Sequence, residues 1–225
     1  MSNTGFRVYL NVDRPDPSLV ERFGGIAVAS IADSMNRASC ISGRIKPLNR
    51  APLLGVAVTV KTRPGDSLVM QKAMNLANPG DVIVVDAQGA TDNANAGELI
   101  VTWMQHRKLA GLIVDGAVRD VGAIRNMTFP VYAAGITPRG PYKDGPGEVN
   151  VPISCGGVTV KPGDIVVGDE DGVVIVNPHD GEDVLGKVKH VLAREAKLRE
   201  EIPWDGSWVD EVLKEKGCEF IGTQP

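Results

Sequence analysis

Apolar residues change their spacing several times along the chain, and each change marks an element. From 16 to 38 they recur at helical spacing, in PSLVERFGG and again in IAVASIADSMNRA, with a Gly24-Gly25 break between the two. PLLGVAVTVKT (52–62) is valine-rich with partial alternation, which predicts a strand that RPGDSL ends. LVMQKAMNLA (68–77) returns to helical spacing. PGDVIVVDA (79–87) is a turn followed by a wholly apolar strand, expected to be covered on both faces. AGELIVTWMQHRKLA (96–110) predicts an amphipathic helix, LAGLIVDG (109–116) a buried strand, VGAIRNM (121–127) a short helix and FPVYAAG (129–135) another strand. This alternation predicts an α/β core with parallel strands.

The second half has a different texture. GEVNVPISCGGVTVKPGDIVVGDEDGVVIVNP (147–178) is a series of short β runs split by Gly and Pro, and GDEDG (168–172) is a hairpin signal. A calcium loop is the weaker reading of those acids, because the rest of its spacing is missing. Pro-Gly-Asp occurs three times, ending at Asp66, Asp81 and Asp164, each time beside a strand; it reads as turn chemistry. DVLGKVKHVLAREAKLREEI (183–202) is a long charged helix, with Pro203 as its stop. No low-complexity linker interrupts the chain. One domain over 1–225 is therefore expected, with a core at about 20–178 and a C-terminal helical arm at about 180–225.

Charge and composition narrow the function. The 225 residues carry 28 acids against 24 bases. That balance argues against a nucleic-acid partner, which calls for a basic face. No apolar run approaches the roughly 18–20 residues of a membrane span, and MSNTGFRVYLNVDRPD lacks the order of a signal peptide. A cytoplasmic protein is expected. Three separated cysteines (Cys40, Cys155, Cys218) and three histidines with no HExxH spacing supply no zinc motif. Any metal would take oxygen ligands, which points to magnesium or manganese.

In α/β folds, ligands gather beyond the carboxyl ends of strands. Two such ends carry chemistry here. After VIVVD comes AQGATDNANAGELI, whose helix start at Gly97, Glu98, Leu99 and Ile100 offers backbone N–H groups to an anion. It also reads as an ordinary connection in which Glu98 serves the helix dipole. After GLIVD comes GAVRD. Arg119 can grip a carboxylate by two parallel bonds, and Asp120 can hold a hard cation or act as a base. The plainer alternative is a solvated pair capping the next helix. Together these groups suit a 2-oxo acid whose enolate is stabilised as a carbon–carbon bond breaks. Lys61, after the first strong strand, reads as an exposed lysine rather than a Schiff-base nucleophile.

The stretch GDVIVVDAQGATDNANAGELIVTWMQHRKLAGLIVDGAVRDVGAIRNMTFPVYAAG resembles the RraA-like family, which contains 4-hydroxy-4-methyl-2-oxoglutarate aldolases and protein regulators of ribonuclease activity. The resemblance runs from about 20 to 200 and is strongest between 80 and 178, with AGEL and VDGAVRDV its most specific parts. It implies an αββα sandwich, assembled as a homotrimer or a homohexamer with sites between subunits. It implies a class II lyase that uses Mg²⁺ or Mn²⁺ to cleave the aldol to pyruvate or to decarboxylate oxaloacetate. By position, Asp120 would be the metal ligand and Glu98 would bond the metal's waters. Arg119 would meet the substrate, and Gly97 to Ile100 would cradle its carboxylate. A glutamate of a neighbouring subunit's C-terminal helix would complete the site, with Glu195 the best match and Glu200 the second. One departure stands out: where the aldolase signature places an acid after Arg-Asp and two residues, this chain has Ala123. The regulator branch shares that loss, so a non-catalytic regulator with a ribonuclease or helicase partner is the second expectation. The tail DGSWVDEVLKEKGCEFIG lacks the ending common in the family. No glycine-rich nucleoside-binding loop follows the first strands, which argues against a methyltransferase.

Overall fold

The computed structural model describes residues 3–201 and 206–222. The chain divides into two compact units, Met1–Val188 and Lys189–Pro225.

The first unit is built on one large sheet. Its strands are β1 (Arg7–Val8), β2 (Lys46–Pro47), β3 (Leu53–Thr62), β4 (Asp81–Asp86), β5 (Ala94–Ala96), β6 (Gly111–Val118), β7 (Val131–Ile136), β8 (Gly147–Val149), β11 (Ile165–Gly168) and β12 (Val173–Val176); β9 (Ile153–Cys155) and β10 (Val158–Val160) form a separate hairpin. The helices are α1 (Pro17–Glu21), α2 (Val28–Ser34), α3 (Leu68–Leu76), α4 (Glu98–His106), α5 (Val121–Ile124) and α6 (Gly181–Glu201), whose second half belongs to the second unit.

Strands β3, β4, β6 and β7 pair in parallel, as their apolar runs and intervening helices predict. The sheet as a whole is mixed, because antiparallel strands are added around that parallel core. Strand β3 is long enough to take two antiparallel partners along one edge, β11 on its first half and β8 on its second. The β-rich second half therefore completes the same sheet. GDEDG is the β11–β12 turn, and Asp169 reaches from it to accept the Val28 N–H at the start of α2 (3.0 Å).

Apolar side chains fill both faces. Val58, Val60, Ile83, Val85, Leu112 and Val114 pack with α3 and α4 residues such as Met70, Met74 and Met104. Ala57, Val82, Val84 and Ile113 point the other way, toward Ile153, Cys155 and Val160 of the hairpin. Alternate residues of each central strand thus serve opposite cores, so the strands read as unbroken apolar runs.

Three elements escaped the hydrophobic pattern: β1, β2 and β5. Each has two or three residues, too few to show a period. The β5 triplet lies inside the stretch expected to be a polar loop, and it is held there by pairing with β6.

In the second unit the charged helix α6 runs on to Glu201, and α7 (Ser207–Glu215) follows. Pro203, expected as the stop of α6, lies outside the described residues. Helix α7 buries none of its side chains, although Trp208, Val209 and Val212 recur on one face. No helix among the described residues is long and apolar enough to cross a membrane.

Candidate active site

Every residue of β6 is buried, and the chemistry begins where it stops. Arg119 N–H donates to Ala96 O (3.0 Å), which locks the strand end beside β5. Asp120 then takes a left-handed backbone, φ +57°. A non-glycine residue there is strained by of order 1 kcal/mol, and aspartate tolerates it better than most. The kink ends the strand and turns the carboxylate back toward α4, where Glu98 N–H donates to Oδ2 at 3.2 Å. Asp120 sits at the N-cap position of α5, yet its side chain makes no cap bond there. It binds the start of a different helix, 22 residues earlier. The reading of Asp120 as a cap for the next helix is thereby excluded.

Arg119 and Asp120 are not a tight pair. Nε lies 3.5 Å from Oδ2, with the two side chains 41% and 45% exposed. Exposed pairs of this kind contribute about 0–1 kcal/mol, so stability does not account for it. Arg119 Nε is itself buried and has no hydrogen-bond partner. A buried donor left unpaired costs roughly 1–3 kcal/mol.

Gly97 makes this approach possible. A Cβ there would stand 2.4 Å from Asp120 Oδ2 and 2.9 Å from Arg119 Cγ. The backbone itself, at φ −144°, would accept any residue, so glycine is needed for room and not for conformation. The anion cradle is narrower than the sequence implies. Of its N–H groups, that of Glu98 is engaged by Asp120, and that of Ile100 turns back to Gly97 O (3.1 Å). Leu99 projects into solvent, 76% exposed. Glu98 Oε1 accepts from Thr102 Oγ1 (2.9 Å), which fixes that carboxylate along the helix.

The fold thus gathers Gly97, Glu98, Arg119 and Asp120. Glu195 belongs to the second unit, where Arg199 Nη2 lies 3.9 Å from its Oε2. Glu200 is an exposed residue of the same helix. Ala123 is exposed on α5, and its N–H donates to Asp120 O (3.0 Å).

Among the described residues no three His, Cys, Asp or Glu side chains converge as a metal cluster. A cation here would rest on one carboxylate and water, a mode magnesium commonly adopts. Asp120 suits that mode. Its hydrogen bond and its ion pair both fall on Oδ2, so Oδ1 takes neither.

Two neighbours of the site were not anticipated. The first is an arginine–aspartate pair five residues earlier on β6. Asp115 is buried, with Arg44 Nη1 2.6 Å from Oδ1 and Nη2 2.7 Å from Oδ2, and Gly156 N–H donates to the same Oδ2 (2.7 Å). Burial pushes the adjacent Cys155 thiol well up, with help from Asp115, which favours the neutral thiol. The second is the loop around Gly140, which lies against the Arg119 guanidinium. Neither shows a periodic signal, because both depend on contacts across the sequence.

A sequence model of the RraA-like family (Aldolase/RraA) matches residues 28–175. The chain belongs to the RraA-like family. Within that family, it is 42% identical over 171 residues to a protein of Halalkalibacterium halodurans named "Putative 4-hydroxy-4-methyl-2-oxoglutarate aldolase", covering 76% of this chain and 81% of the relative. It is 35% identical over 161 residues to an uncharacterized protein of Methanocaldococcus jannaschii, covering 70% and 77%. Among solved structures it is similar to Streptomyces coelicolor RraAS2, described as an unusual member of the RNase ES inhibitor RraA protein family. That match has a TM-score of 0.76 and 27% identity, and covers 84% of this chain and 99% of the other. The α/β sandwich of the RraA-like fold is thus established for this chain.

Proposed function

We propose that this RraA-like protein is a divalent-metal-dependent carbon–carbon lyase acting on a small 2-oxo acid. The reactions in view are cleavage of 4-hydroxy-4-methyl-2-oxoglutarate or a related compound to pyruvate, and decarboxylation of oxaloacetate. One observation carries the reading. A strand ends in an aspartate whose carboxylate is bent toward a helix start, beside an arginine held loosely 3.5 Å away. The relative named as an aldolase supports the same reaction class.

The residues divide the work by chemistry. Asp120 would hold Mg²⁺ or Mn²⁺ through its carboxylate, and Glu98 would accept bonds from the waters around it. The cation, when bound, supplies positive charge to a 2-oxo acid's carbonyl. The Arg119 guanidinium, 41% exposed, would donate to the same oxygen as negative charge builds on it. The backbone at Gly97 and Leu99 receives the substrate carboxylate at the positive end of α4. Glu195 of a neighbouring copy completes the site in a homotrimer or homohexamer, in a cytoplasmic setting. The test is pyruvate release from oxaloacetate and from 4-hydroxy-4-methyl-2-oxoglutarate, each with magnesium and with a chelator. Metal-dependent release from either supports the lyase; none from both ends it.

Ala123 favours a second reading, because an exposed methyl group stands where the aldolase signature has an acid. On that reading the protein is a non-catalytic regulator whose partner is a ribonuclease or a helicase, in keeping with the RNase ES inhibitor family of the Streptomyces relative. Inhibition of a purified ribonuclease, without turnover of either substrate, would decide for it.

A further inference from the structure

We propose that segment 137–146, between β7 and β8, is a strap that orients the Arg119 guanidinium, and that Gly140 is the positioning residue through which it acts. This rests on reading Arg119 as the group that meets the substrate.

The Arg119 side chain lies between two glycines. A Cβ on Gly97 would stand 3.0 Å from Arg119 Nε, and a Cβ on Gly140 would stand 2.8 Å from Nη1. Ordinary contact begins at about 3.5 Å, so a side chain at either position requires Arg119 or its neighbours to shift. Gly140 does not occupy the left-handed region, so the reason for glycine there is again space. An added methyl would meet the far end of Arg119, which can swing aside. A substitution at 140 therefore reads out as displacement of the guanidinium and not as a broken backbone.

The wall is fastened along its length. Thr137 N–H donates to Val118 O (3.1 Å), directly before Arg119. Ala94 N–H of β5 donates to Arg139 O (2.9 Å), and Asn93 Nδ2 donates to Gly140 O (3.1 Å). At the far end, Asp144 and Gly145 N–H groups both donate to Asp66 Oδ2 at 2.9 Å.

Asp66 departs from the other two Pro-Gly-Asp turns. Asp81 and Asp164 fold back and accept the first N–H of their own turns, at Asn78 and Lys161, each at 2.7 Å. Asp66 is fully buried and instead reaches across to the strap. Burial pulls its pKa upward, but bonds from Leu68, Asp144 and Gly145 together with Arg63 outweigh that and hold it below the usual carboxylate range. The strap thus keeps its anionic anchor at neutral pH.

The test combines Gly140→Ala with Arg119→Lys. In the wild-type background, Gly140→Ala should lower kcat/KM for magnesium-dependent oxaloacetate decarboxylation about tenfold, the scale of a small misplacement of a catalytic group. In the Arg119→Lys background the same change should cost less than about twofold, because the group it acts through is gone. Equal losses in both backgrounds would overturn the proposal. A second reading needs no turnover: the Arg119 Nε–H resonance, identified by its absence from Arg119→Lys, should shift in Gly140→Ala and shift less in Asn93→Ala. An unmoved resonance overturns the strap even if the enzyme is active. A shifted resonance in a protein without turnover upholds the strap and rejects the lyase reading instead.

Discussion

Two aspartates five residues apart, Asp115 inside strand β6 and Asp120 just past its end, each face an arginine, and their surroundings are opposite. Asp115 is sealed in the interior, with both carboxylate oxygens facing Arg44 at close range and a backbone N–H from Gly156 added. Asp120 is nearly half exposed, and its arginine stands off at 3.5 Å. A pair whose charges are matched at close range holds loops together. A pair left partly unfilled, on a strained residue at a strand end, has capacity for something else. The difference lies in what surrounds the charges, since the residue types are the same.

The largest expected effect separates the two pairs outright. Asp120→Asn should cut turnover of the 2-oxo acid by about a thousandfold while the thermal midpoint stays within about 4 °C of wild type. Near-normal turnover would mean that the carboxylate is not part of the chemistry. Asp115→Ala should do the converse, destabilising the protein by about 3 kcal/mol, because Gly156 N–H loses its acceptor and Arg44 its partner. Urea denaturation measures this, and a change under about 1 kcal/mol would place Asp115 with the exposed pairs.

Arg119→Lys comes next, with an expected loss of about tenfold in kcat/KM and little change in stability, since a lysine keeps the charge but not the planar fork. Steady-state kinetics decide it, and an unchanged kcat/KM would show that charge alone suffices. The smallest effect at neutral pH belongs to Asp66. Its folded pKa is lowered, so its contribution to stability is complete above the ordinary aspartate range and is lost as the pH falls through the folded value. Amide exchange at Asp144 and Gly145 should therefore stay slow at neutral pH and quicken on acidification, a response that Asp66→Asn should remove. Exchange that is insensitive to pH in both proteins, once corrected for intrinsic rates, would separate Asp66 from the strap.

Much of this was legible from residue order. The runs VIVVD and GLIVD announced buried parallel strands, and AGEL and VRD announced two chemically loaded strand ends. Residue types at a strand end are enough to mark a place where ligands gather. The direction of the Asp120 carboxylate was not legible, because it depends on a left-handed kink and on a helix start 22 residues away. Nor was the mixed character of the sheet, since strand direction follows from which partners fit the two halves of β3. The three Pro-Gly-Asp turns look alike in sequence, and only the folded chain sets Asp66 apart from Asp81 and Asp164.

Sequence by itself determined most of the elements, because hydrophobic period and local turn chemistry act over a few residues, and the resemblance carried by AGEL and VDGAVRDV pointed to the family and the short roster of candidate groups. Tertiary structure decided which aspartate is buried against its arginine and which stands half exposed, and which glycines stand against Arg119. Those are properties of neighbours distant along the chain, where burial and nearly an ångström of separation distinguish a close, buried ion pair from a loose, half-exposed one.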